Sequence, residues 1–250
     1  MIALSVNVNK VATLRNSRGG RVPSVLAAVE TCIAAGAPGI TVHPRQDERH
    51  VRKDDVHEIA RRLAESPVKD GRHVEYNIEG DPRPDLIDTV LAVKPTQCTL
   101  VPVSPGEITS HAGWSPKTPT DVLGGVIARL KKAGVRVSLF VDPEEEPVRF
   151  AAQVGADRIE LYTEPYARAF EASESEGRRS FAQYAAAAEL AHSLGLGINA
   201  GHDLDLDNLK LFRTLPHLAE VSIGHALISH AVWVGLDRAV RDYLRVLSQK

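Results

Sequence analysis

Short apolar runs alternate with helix-period stretches along the whole chain. The apolar runs cover residues 2–8, 39–43, 74–79, 97–102, 135–141, 158–162, 196–200 and 220–223. Their β-branched content and shortness predict buried strands. Between them, apolar positions recur at helical spacing over 23–35, 53–64, 84–93, 120–133, 144–154, 180–194, 207–214 and 231–248. Pro23 stands in a first turn and Gly36 at a stop; Asp54 and Asp55 open the next helix. Thr120-Asp121 reads as a cap and Gly134 as another stop.

Strict strand–helix alternation predicts parallel strands joined by right-handed crossovers. Eight such units in 250 residues fit a closed (β/α)8 TIM barrel better than an open sheet. No break in composition divides the chain, so one domain over 1–250 is expected. Two connections are long, 103–119 and 163–177, and predict extra helices; Tyr166 to Phe170 reads as a helical turn in the second.

Composition narrows the function classes. At net charge −2, no global field favours nucleic acid or an anionic membrane. No run reaches the roughly 20 apolar residues of a membrane span. The N-terminal stretch lacks the pattern of a signal peptide. Cys32 and Cys98 sit in apolar contexts and read as buried free thiols. The expectation is a cytoplasmic protein.

The chemistry lies where the strands end. Three apolar runs each deliver a histidine at their exit: His43, His202 and His225. In a parallel α/β barrel that edge is the ligand-binding face. Histidine is the side chain that most readily exchanges protons near neutral pH. Other exits add Asn7, Asn9, Lys10, Arg15 and Arg18, then Arg45 and His50, Glu79, Glu107 and Thr109. Glu160 alternates with apolar neighbours, and inside a barrel it needs a partner, for which Arg136 or Lys10 is available. Gly201-His202-Asp203 and Gly224-His225 form two turns after neighbouring strands, where such barrels cradle phosphate on backbone N–H groups. Arg18, Arg45 and His50 supply cations for a second anion.

These residues together resemble a known family. Asn7 to Gly19, Gly39 to Arg45 with Asp47 to His50, Asn77 to Glu79, Leu100 to Pro102, Val137 to Asp142, Asn199 to His202 and Ile223 to Ala226 resemble motifs of the pyridoxine 5′-phosphate synthases. The resemblance implies a homo-octamer of barrels built from dimers. It implies condensation of 3-amino-2-oxopropyl phosphate with 1-deoxy-D-xylulose 5-phosphate to pyridoxine 5′-phosphate, with no metal or organic cofactor. By match to the motifs, His43 and Glu79 are proton acceptors and His202 a proton donor. Asn7, Arg18, Gly224 and His225 hold the amino-ketone phosphate; Arg45, His50 and Thr109 hold the deoxyxylulose phosphate. Two departures stand out. Asn9-Lys10 replaces the usual Asp-His, and Asp203 replaces the usual glycine, leaving its backbone N–H as the binding group.

Three other readings compete. A phosphosugar isomerase, epimerase or Schiff-base aldolase uses the same barrel, with Lys10 as the only well-placed lysine. A metal-dependent hydrolase would draw on His43, His50, His202 and His225. A non-catalytic phosphate sensor would leave the acid–base groups idle.

Overall fold

The computed structural model describes residues 2–65, 73–102 and 112–249. Within them the strands are β1 (Ala3–Asn7), β2 (Gly39–Val42), β3 (Glu75–Gly80), β4 (Gln97–Leu100), β5 (Arg136–Val141), β6 (Arg158–Tyr162), β7 (Gly197–Gly201) and β8 (Leu218–Ile223). The helices are α1 (Asn9–Asn16), α2 (Val25–Ala35), α3 (Lys53–Ala64), α4 (Pro84–Val93), α5 (Thr120–Lys132), α6 (Glu145–Gln153), α7 (Glu164–Ala172), α8 (Glu174–Ser193), α9 (Leu209–Phe212), α10 (His225–Val234) and α11 (Leu236–Ser248). Every strand runs parallel to the next, and β8 pairs with β1, so the sheet closes. This is the expected (β/α)8 barrel.

Three elements differ from the pattern-based expectation. The segment after β1, expected as a loop, is helix α1. Asn7 Oδ1 accepts the Asn9 backbone N–H at 3.0 Å and starts the turn, and Val11 and Ala12 are buried. The 163–177 connection contains a full helix, α7, and α8 begins at Glu174 rather than 180. Ser173 separates the two by accepting Glu176 N–H at 3.2 Å, a side-chain cap. The stretch expected as one helix from 231 is two, α10 and α11. Gly235, at φ +84°, turns the backbone between them.

Strand alternation sorts the side chains into two environments. Leu4, Val6, Ile40, Val42, Ile78, Leu100, Val137, Leu139, Ile159, Leu161, Ile198, Val221 and Ile223 join the apolar core shared with the helices. The opposite face points into the barrel and is mostly polar: Ser5, Thr41, Asn77, Glu79, Thr99, Ser138, Glu160, Asn199, Glu220 and Ser222, all buried. Register keeps these in phase around the sheet, pairing Thr41 with Asn77, Glu79 with Thr99 and Glu160 with Asn199. Branched apolar residues usually fill such an interior. A polar one must bond to itself. Ser5 and Thr41 hydroxyls lie 2.6 Å apart, and Thr99 donates to Asn77 Oδ1 at 3.0 Å.

The N-terminal end of the barrel is plugged by charge. Arg136 donates to Gln97 Oε1 at 2.9 Å and pairs with Glu75. Arg158 donates to Asn199 Oδ1 at 2.9 Å and pairs with Glu220 at 3.3 Å. Arg136 therefore serves the floor and is not Glu160's partner, as the sequence had left open. Both cysteines are buried free thiols, pushed by burial up to about 12.

Candidate active site

The strand C-termini surround a cavity of about 410 Å³. Its size suits a small-molecule site. Asn7, Asn9, Lys10, His43, Arg45, His50, Glu79, His202, Asp203, Gly224 and His225 all line it. Eleven sequence-expected residues, from five strand exits, thus meet in one space. Arg18 does not join them; it is exposed beyond the end of α1. Arg15, considered with it, is buried elsewhere in a bidentate ion pair with Asp55, at 2.6 and 2.9 Å. Glu107 and Thr109 lie outside the described residues.

Glu79 is placed by β3, where alternation turns it inward. Asn77 Nδ2 and Ser222 Oγ each reach its Oε1 at 3.4 Å, and Asn7 Nδ2 reaches Oε2 at 3.4 Å. These bonds are long, so burial dominates. It pushes the carboxyl up to about 8, against the lowering effect of Ser222 and with a further push from Glu220. Glu79 therefore titrates near working pH, as an acid–base group should. It caps no helix.

Glu160 also lines the cavity. Its carboxyl lies well above the usual range, through burial first and the Glu79 charge second. The Thr99 hydroxyl stands 3.4 Å from its Oε2. That hydroxyl, rather than Arg136 or Lys10, is the partner the structure records.

His43 follows β2 directly. Its backbone N–H donates to Asn9 Oδ1 at 2.9 Å, and its ring meets His50 edge-on at 6.0 Å. Burial, then the charges of His50 and Arg45, push its pKa down to about 3. His50 is lowered to about 4, by burial and then Arg45. Both rings are neutral at pH 7, the form that accepts a proton. His43 Nε2 and His50 Nδ1 are buried with no hydrogen-bond partner among the described residues, consistent with atoms reserved for a ligand.

His202 and Asp203 form the turn after β7. Asp203 directs its carboxylate at His202 Nδ1, 2.6 Å away. Gly224 caps α10, which begins at His225, so the phosphate-cradle expectation meets a helix N-terminus there. Gly224 also needs to be small: a Cβ would lie 3.1 Å from the Asn7 Cβ. Gly201 is tighter, with a Cβ 2.7 Å from Glu160 Oε1.

The cavity includes residues the sequence reading did not single out as site residues: Val101, Phe140, Tyr162, Ser222, Glu164 and Arg168. Ser222 and Tyr162 were findable, because they keep the inward phase of Glu220 and Glu160. Glu164 and Arg168 required knowing that α7 starts at the exit of β6. Among the described residues no group of three or more His, Cys, Asp or Glu side chains has the arrangement of a metal site.

Comparison with known proteins places this architecture. The family described as pyridoxal phosphate biosynthesis protein PdxJ matches residues 4–249. A pyridoxine 5′-phosphate synthase of Bacteroides fragilis is 50% identical over 248 residues, covering 99% of this chain and 100% of the relative. One from Leptospira biflexa is 50% identical over 254 residues, covering 99% and 98%. Among solved structures, a tryptophan synthase from M. tuberculosis superposes with a TM-score of 0.66 at 11% identity, covering 100% of this chain and 93% of that one. A KDPGal structure does so at 0.59 and 12%, covering 97% and 93%. At such identities these two likenesses concern the fold alone. With the family pattern running over residues 4–249 and half the residues shared end to end with those relatives, this chain belongs to the PdxJ family of pyridoxal phosphate biosynthesis proteins.

Proposed function

We propose that this chain is a pyridoxine 5′-phosphate synthase, joining 3-amino-2-oxopropyl phosphate to 1-deoxy-D-xylulose 5-phosphate with release of phosphate and water. One observation carries this reading: a single cavity gathers Glu79, whose carboxyl burial pushes up to about 8, the strand-exit histidines His43, His202 and His225, the cations Lys10 and Arg45, and the N-terminus of α10. The reaction needs such a set. An amine must add to a ketone and lose water, and enolisation, phosphate loss, ring closure and aromatisation follow. Each step moves a proton, and two phosphates must be held meanwhile.

In this reading His43 and Glu79 accept protons and His202 donates one. Asn7, Gly224 and His225 hold the amino-ketone phosphate at the N-terminus of α10; Arg18, exposed outside the cavity, is left out of this set. Arg45 and His50 hold the deoxyxylulose phosphate with Thr109. Lys10 and Asn9 flank the substrates, and Asp203 contributes its backbone N–H. No cofactor is assigned. The protein is assigned to the cytoplasm and to small phosphorylated substrates rather than nucleic acid or membrane; no helix among the described residues is long and apolar enough to cross a membrane.

The homo-octamer built from dimers is part of the proposal. Trp233 is 86% exposed and Val232 72% exposed on α10, and Leu14 is 60% exposed on the adjacent α1. A surface of that kind is one that association would cover.

The test is incubation of purified protein with both substrates, following pyridoxine 5′-phosphate and inorganic phosphate together. Stoichiometric appearance of both supports the reading. Product-free cleavage of either substrate, or a lysine adduct trapped by borohydride, would replace it with aldolase chemistry at Lys10. Sedimentation at working concentration tests the oligomer.

A further inference from the structure

The turn after β7 is built in an uncommon way. His202 and Asp203 both have positive φ, +82° and +51°. Residues with side chains seldom adopt that region, and two in succession require support. The support is on three sides. Thr163, fully buried at the exit of β6, donates its hydroxyl to the carbonyls of both Gly201 and His202. Asn208 Nδ2 donates to the Asp203 carbonyl at 3.1 Å. The Tyr162 ring meets the His202 ring edge-on at 5.5 Å. The outcome is that Asp203 Oδ2 sits 2.6 Å from His202 Nδ1.

We infer that the Asp203 side chain is a positioning residue for His202, making the two an Asp–His dyad at the cavity edge with the Thr163 hydroxyl as its clamp. The inference rests on the proposed role of His202 as proton donor. An ionised carboxylate only accepts hydrogen bonds, so Nδ1 must carry the proton between them. That leaves Nε2 as the nitrogen exchanging protons with substrate. When His202 acts as the acid, Nε2–H gives its proton to a departing oxygen, which leaves with the electron pair of the broken C–O bond. The ring that remains is neutral and keeps Nδ1–H on Asp203. A buried aspartate governs tautomer and ring orientation in this way in serine proteases. The Asp203 carboxyl is held below its usual range, first by the His202 hydrogen bond, so it is ionised at working pH. His225 and Arg168 also face it as positive or potentially positive groups.

The test compares Asp203→Asn, Asp203→Gly and His202→Asn in the whole 250-residue chain. Glycine suits the positive φ, so Asp203→Gly removes the carboxylate without opposing the backbone. Both Asp203 variants should lose about tenfold to a hundredfold in kcat while KM for each substrate stays within about twofold, a fraction of the general-acid contribution. Imidazole 15N NMR should show neutral His202 as the Nδ1–H tautomer in the parent and a shift toward Nε2–H in Asp203→Gly. Unchanged kcat in both variants, or a raised KM at constant kcat, overturns the dyad. So does an Nε2–H tautomer in the parent. His202→Asn separates the two levels of the argument. If it abolishes turnover while the Asp203 variants are normal, only the dyad fails; if it turns over normally, the donor role of His202 fails and the dyad falls with it.

Discussion

The side-chain oxygen of Asn9 accepts the backbone N–H of His43 at 2.9 Å, tying the exit of β1 to the exit of β2. The residue thus positions a proposed proton acceptor through its main chain. It does so with an amide where the resemblance to the family implies an aspartate. Only an acceptor oxygen is needed for this bond, and both side chains supply one.

Asn9→Asp should therefore keep the bond and Asn9→Leu should lose it. The leucine variant leaves a donor unpaired, at a cost of about 1–3 kcal/mol. Urea unfolding midpoints and kcat, measured on both variants, check this. The aspartate variant should stay within about twofold of the parent in turnover while leucine falls further. Equal losses would show that Asn9 acts through its amide N–H₂ on substrate instead.

Glu79 should make stability depend on pH with a defined sign. Its folded-state value is raised from 4.5 to about 8, so the folded protein binds this proton more tightly than the unfolded chain. The neutral form is favourable below 4.5, and its contribution is lost progressively as pH rises from 4.5 through 8. Glu160 and Glu220 act in the same direction, Glu220 over a window ending near 6. Glu79→Gln should flatten the fall in unfolding free energy between pH 6 and 8, measured by denaturant titration in that range. It should also lower turnover by about 10²-fold or more, the scale of a lost acid–base group, with KM little changed. Near-parental turnover would reduce Glu79 to a buried structural carboxyl.

Arg15 and Asp55 form a buried pair, with side chains 7% and 11% exposed. Asp55 also accepts the Arg52 backbone N–H at 2.7 Å at the start of α3. Arg15 donates to the His50 carbonyl at 3.2 Å. Arg15→Met should destabilise by about 3–5 kcal/mol, because it strands a buried carboxylate. Arg15→Met with Asp55→Asn should recover part of that loss. Thermal unfolding of the single and double variants decides the matter; additive losses would mean the two residues act independently.

Arg45 lines the cavity beside His50. In the two-pocket assignment it serves one phosphate. Arg45→Ala should weaken deoxyxylulose phosphate binding far more than amino-ketone phosphate binding, since a charge-assisted contact is lost from one side only. Calorimetric titration of each substrate alone compares the two. Similar weakening of both would contradict separate pockets.

Much of this molecule was legible in one dimension, and the reason is local. Strand and helix periods are set by neighbours two to four residues apart. The eight runs, their order and the residues at their exits follow from that spacing alone. So does the inward phase of Glu79 and Glu160, because alternation fixes which face each side chain takes. The resemblance of the exit motifs to one family then gave the exit residues their proposed roles.

What the fold decided depends on residues far apart in sequence. Arg15 and Arg18 lie close together in the chain, yet one is buried against Asp55 and the other is exposed. No local pattern separates them. His43 and His202 look equivalent as strand-exit histidines. Burial near Arg45 keeps the first neutral, while the second is bonded to a carboxylate across a left-handed turn. The partner of Glu160 proved to be Thr99, because Arg136 is committed to Glu75 and Gln97 at the barrel floor. The sequence by itself determined which polar groups follow each strand exit. Burial, charge proximity and backbone handedness, which arise only when the barrel closes, decided which of them are neutral, which are paired and which line the cavity.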